Sequence, residues 1–178
     1  MAVLVWGFGT CIFLYFWPLI TYSAYKRAVI QHGLGGDRIP INTLYAVPTL
    51  SSPAAPNASL LATGTNDVLY VGGCLDLSKG PQVLHVPDMA GRYYSVQFTD
   101  PSDGTNFAYV GKRTTGTEAG DYLMSGPGWK GTVPQGMKQI ASPNKSVLVI
   151  GRVFVESDSD LPTAYGLAKQ IQLTPLSH

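Results

Sequence analysis

The sequence predicts a mainly β fold: a jelly-roll-like β-sandwich with an apolar N-terminal helix and a short C-terminal helix. Three observations predict it. Short runs of β-forming residues recur roughly every ten positions from Val68 onward. Each run is closed by Gly, Pro, Asp or Ser, the residues of tight turns. The 20 Gly, 13 Pro and 10 Tyr among 178 residues favour turns and strands over a helical bundle.

The N-terminal helix comes first. No charged side chain occurs before Lys26 and Arg27, and Val3 to Ile20 is dense in Val, Leu, Ile, Phe and Trp. About 20 such residues suffice to cross a bilayer core. Trp6, Phe13, Phe16 and Trp17 are its expected contacts with a membrane or a partner, and Pro18 would kink it. Three readings compete. A cleaved signal peptide lacks its basic start and small-residue cleavage site here. A retained membrane anchor and a helix packed on the domain or a partner remain, and an all-round apolar helix fits either. Lys26, Arg27 and Arg38 favour a cytosolic domain, whereas Asn57-Ala58-Ser59 and Asn144-Lys145-Ser146 fit a lumenal glycosylation pattern. The expected division is a helix over 1–30 and a β-sandwich over 31–178.

Gln31 to Asp37 is Gly-rich and stops the helix, Ile39 to Leu50 is extended, and Ser51 to Asn57 is a Pro-rich loop. Val68–Leu77 reads as a strand in which Gly72-Gly73 mark a bulge. Gln82–Val86 alternates, and Arg92–Thr99 sets Tyr93, Ser95 and Gln97 opposite Tyr94, Val96 and Phe98. Asn106–Val110, Asp121–Met124 and Lys138–Ile140 are shorter strands. Val147–Val155 is nearly all apolar and reads as a central strand covered on both faces. Asp160-Leu161-Pro162 opens a helix, with Asp160 as cap and Pro162 in the first turn, running to about Gln172.

These blocks together resemble the domain-of-unknown-function 1254 family. The resemblance is carried by Thr65-Asn66-Asp67-Val68-Leu69-Tyr70, Leu75-Asp76-Leu77-Ser78, Val86-Pro87-Asp88 and Gly91-Arg92-Tyr93-Tyr94. It continues through Gly111 to Gly116, Ala119 to Leu123, Gly126 to Gly131, Gly151-Arg152, Asp160-Leu161-Pro162 and Leu173 to Leu176. Val68 stands where the family signature usually has Thr. The resemblance implies a β-sandwich or jelly roll, and in many members a second β domain follows. The chain stops just after Thr174-Pro175-Leu176, so a single-domain member is expected. The resemblance implies no chemistry.

The residues themselves offer little chemistry either. Twelve Lys and Arg balance eleven Asp and Glu, so nothing attracts nucleic acid. Cys11 and Cys74 are too few for a disulfide framework or a zinc site, and His32, His85 and His178 have no ligand spacing. Asp100 to Gly104 reads as an Asp-rich turn. No nucleophile elbow, phosphate loop or cofactor signature occurs. Arg92, Tyr94, Arg113, Thr115, Trp129 and Arg152 are the ligand-binding candidates, because Arg grips carboxylates and aromatic rings line pockets. The bland alternative is that they tie sandwich corners together, since buried polar groups need partners.

The expectation is a non-enzymatic structural or interaction module. It would join other protein subunits in a membrane-associated assembly, such as an envelope complex or a virion shell. The rival expectation is an enzyme or small-ligand binder with Arg92, Arg113 and Arg152 around a cleft. Pairing of all three guanidiniums with no cavity beside them would remove the rival's support.

Overall fold

The computed structural model describes residues 20–24, 26–28, 30–31, 38–51 and 65–176. The described residues between 20 and 31 are helical (α1). Trp6, Phe13, Phe16 and Trp17, and with them the expected membrane helix, lie outside the described residues. Among the described residues no helix is long and apolar enough to cross a membrane.

Among the described residues nine strands follow: β1 (Tyr45–Ala46), β2 (Val68–Asp76), β3 (Gln82–Val86), β4 (Tyr94–Thr99), β5 (Asn106–Gly111), β6 (Gly120–Ser125), β7 (Lys138–Ala141), β8 (Ser146–Phe154) and β9 (Gln172–Pro175). A helix, α2 (Leu161–Gln170), precedes β9. They form a five-stranded sheet, β1-β2-β8-β4-β5, and a four-stranded sheet, β7-β6-β3-β9. All pairings are antiparallel except β6 with β7.

The alternation of side chains explains why the sheets face each other. Tyr94, Val96 and Phe98 on β4 and Val147, Val149 and Val153 on β8 are fully buried. They join Leu84 and Val86 of β3 and Met124 of β6 in one apolar cluster. A strand turns successive side chains to opposite faces, so one face of each sheet supplies this core. Ala164 and Ala168, one helical turn apart on α2, extend it, and Ile171 closes it where the chain turns into β9.

The structure corrects four expectations. Gly72 and Gly73 mark no bulge: β2 pairs with β8 in unbroken register from Val68↔Phe154 to Asp76↔Ser146. Gly73 is small because a Cβ there would strike the carbonyl oxygen of Thr43, whose segment lies against β2. Asn42 fastens that segment, its side-chain amide donating to Asp76 O at 3.1 Å and accepting from Asp76 N–H at 2.7 Å. β8 is central but only one of its faces is fully covered, since Leu148, Ile150, Arg152 and Phe154 on the other are half-buried. Asp160 precedes α2 but makes no side-chain cap, because its carboxylate is occupied by Arg92. The helix ends at Gln170, and residues 172–175 instead form β9 along β3.

Candidate functional site

The sheet register gathers two candidate arginines on the outer face of the five-stranded sheet. Tyr70 of β2 lies opposite Arg152 of β8, Arg152 opposite Ser95 of β4, and Ser95 opposite Gly111 of β5. The flanking Tyr94, Val96 and Val153 point into the core, so Ser95 and Arg152 point out. Tyr93 and Tyr109 lie two residues from Ser95 and Gly111 and share that face. The turn after β5 brings in Arg113 and Thr114. Large side chains around the small Ser95 and Gly111 leave a groove of about 270 Å³. Gly111 cannot grow, because a Cβ would lie 2.5 Å from Tyr94 O.

Each arginine lies on a tyrosine. The Arg113 guanidinium is 5.4 Å from the centre of the Tyr93 ring and that of Arg152 is 5.7 Å from Tyr70. Tyr70 is itself held, because its hydroxyl accepts from Thr65 N–H at 3.1 Å. Neither guanidinium has a carboxylate or hydrogen-bond acceptor among the described residues.

The other candidates belong to the framework. Arg92 donates from Nη1 and Nη2 to the Asp160 carboxylate at 2.5 and 2.8 Å, and from Nη1 to Phe154 O at 2.8 Å. Tyr94 is buried in the core. Thr115 holds the turn after β5, with Gly111 N–H donating to its hydroxyl at 3.1 Å. Trp129 is half-buried in the loop after β6, packed on Gly131. Of the three arginines expected around one cleft, Arg113 and Arg152 meet in the groove and Arg92 is bound elsewhere. Tyr93, Ser95 and Tyr109 line the groove but stand outside the sequence-based candidate set; the polar alternation of Tyr93, Ser95 and Gln97 was their signal.

A second hollow of about 610 Å³ borders Arg92 and includes Asp88, Lys112 and Glu156. Its cations are engaged, since Lys112 Nζ donates to Gly91 O at 2.6 Å. Asp100 is buried, and its Oδ1 accepts from Ser102 N–H at 2.8 Å and from the Ser102 hydroxyl at 2.7 Å. His85 and Asp121 form an exposed cross-strand pair at 2.7 Å. Among the described residues no three His, Cys, Asp or Glu side chains converge as a metal site would require.

The fold has a solved counterpart. The VPA0106 protein from Vibrio parahaemolyticus superposes with a TM-score of 0.69 at 24% identity, over 93% of this chain and 37% of that one. The chain thus spans just over a third of that protein's length. A putative uncharacterized protein from Burkholderia cenocepacia shares 13% identity over 64% of this chain and 31% of its own, with a TM-score of 0.42. No curated protein matches significantly. The family model for proteins of unknown function DUF1254 matches residues 41–175, across both sheets and the groove, and the chain belongs to that family.

Proposed function

We propose that the chain is a non-enzymatic ligand-binding module, and that the outer face of the five-stranded sheet is its recognition surface. The observation that carries this is the pair Arg113 and Arg152, without acceptors among the described residues and set around a groove. The groove lining contains neither a carboxylate nor a histidine, the commonest groups for proton transfer. The domain around it is read as a jelly-roll-like sandwich. That reading is supported by the passage of the chain between sheets after β2, β3, β5, β7 and β8, and by the pairing of β2 with β8. The test is a screen of small charged and neutral compounds by amide chemical shifts. A ligand is expected to perturb Ser95, Tyr109 to Gly111 and Arg152; perturbations confined to β3, β6 and β9 would overturn the reading.

A second reading is membership of a membrane-associated assembly of protein subunits, with residues 1–30 as the attaching helix and 31–178 as the body. It is supported by the uncharged run up to Tyr25 and by Ile20, which is 53% exposed. A full-length chain that is monomeric and soluble without detergent would count against it.

A further inference from the structure

We infer that the groove takes an oxyanion, a carboxylate or a phosphate, carried on a small ring that rests on Tyr109. The inference deepens the reading of the outer face as a ligand-binding surface and depends on it. Its first support is charge. Two guanidiniums border the groove and no carboxylate does. A neutral ligand would cover both cations without compensating them, which is costly, whereas an oxyanion would pair with them.

The second support is pre-organisation. A guanidinium stacked on an aromatic face keeps the N–H bonds at its edges free, and that planar fork matches carboxylate and phosphate oxygens. The tyrosine under Arg152 is fixed in turn by Thr65 N–H. Arginine normally loses much rotamer freedom on binding; here part of that loss precedes the ligand.

The third support is what remains unused. Thr114 spends its hydroxyl on Tyr109 O at 3.1 Å and Gly111 O at 3.2 Å. The half-buried Ser95 hydroxyl, on the groove floor on β4 between β5 and β8, has no partner among the described residues. It supplies a third donor. Tyr109 is 44% exposed, an apolar platform at the rim. A volume of about 270 Å³ falls just below the usual range for small-ligand pockets, so no more than one ring with its charged group is the expected cargo.

The experiment titrates the full chain with four probes: glucose, glucuronate, glucose 6-phosphate and inorganic phosphate. The sugars share a ring and differ in charge; free phosphate separates the anion from the ring. Glucuronate and glucose 6-phosphate are expected to bind, and glucose at least tenfold more weakly than either. Arg113→Gln and Arg152→Gln should each weaken the charged sugars at least tenfold with an unchanged thermal midpoint. Tyr109→Ala should weaken the charged sugars and leave inorganic phosphate unaffected. Glucose binding in the groove as tightly as glucuronate overturns the inference while sparing the reading of the face. Anion affinity that survives both arginine substitutions, or no binding by any anion up to roughly 10 mM, overturns it as well.

Discussion

Arg92 and Asp160 are 68 positions apart, yet they form a two-pronged ion pair that fastens the segment before β4 to the start of α2. Arg92 also donates to Phe154 O, and Asp160 accepts from Glu156 N–H at 3.0 Å, so the segment before β4 is tied both to the end of β8 and to the start of α2. Both side chains are largely buried, 16% and 17% exposed, so removing one partner would leave the other's charge without compensation.

That pair gives stability a pH signature. The Asp160 carboxyl is held at about 2, below its ordinary 3.8, chiefly by the hydrogen bonds from Arg92 and then by Glu156 N–H. A carboxyl depressed on folding contributes stability fully above its unfolded value and loses it as pH falls towards the folded one. Asp160→Asn is therefore expected to cost on the order of 2 kcal/mol at pH 7. The cost should shrink between about pH 4 and pH 2, where the wild type loses the same interaction. Urea melts of both proteins across that range provide the check.

Two glycines should respond in opposite directions to alanine. At Gly73 a Cβ would meet the Thr43 carbonyl, and Gly73→Ala is expected to cost ~1–3 kcal/mol by forcing that segment off β2. Gly166 sits inside α2, and a Cβ there meets nothing within 4 Å. Gly166→Ala should then stabilise by about 1 kcal/mol through helix propensity. Thermal midpoints of the two variants test both signs.

Much of this was legible in the residues, but unevenly. The Tyr94, Val96, Phe98 alternation named both the strand and its buried face, because a period of two is local information. The apolar run Val147 to Val155 named a central strand but misled about its faces. Leu148, Ile150 and Phe154 are as apolar as their neighbours yet only half-buried, and coverage is decided by what lies above the sheet. β9 was invisible because Gln172 to Pro175 is short and polar, and its extension depends on pairing with β3. The arginines were legible as candidates by type. Their sorting was not: β5 and β8 flank β4 only through the sheet order, which brings Arg113 and Arg152 to one groove and sends Arg92 to Asp160.

Tyr94 separates the core from the groove. Its ring is buried and its hydroxyl has no partner of good geometry among the described residues, although Thr115 lies near. Burial pushes its ionisation upward, against the opposing effect of Thr115. A buried hydroxyl without a partner forfeits its hydration, so Tyr94→Phe should be neutral or stabilising by up to ~2 kcal/mol. It should also leave the titration with glucuronate unchanged, because the hydroxyl faces the core. Denaturant midpoints and the same ligand titration check both statements.

The last prediction concerns how α1 meets the sheet. The buried Tyr22 hydroxyl lies beside the Cys74 thiol on β2 and Ser146 on β8, and no acceptor meets it with full hydrogen-bond geometry. Burial pushes both the Tyr22 hydroxyl and the Cys74 thiol above their ordinary ionisation range. The thiolate is the reactive form, so a 2% exposed thiol kept protonated should resist alkylation at pH 8. Tyr22→Ala removes the ring beside it and should raise the Cys74 labelling rate at least tenfold, read by peptide mass spectrometry. Cys74 rates that are equal in the two proteins would mean that Tyr22 does not shield the thiol, and α1 would then not be seated on β2 and β8.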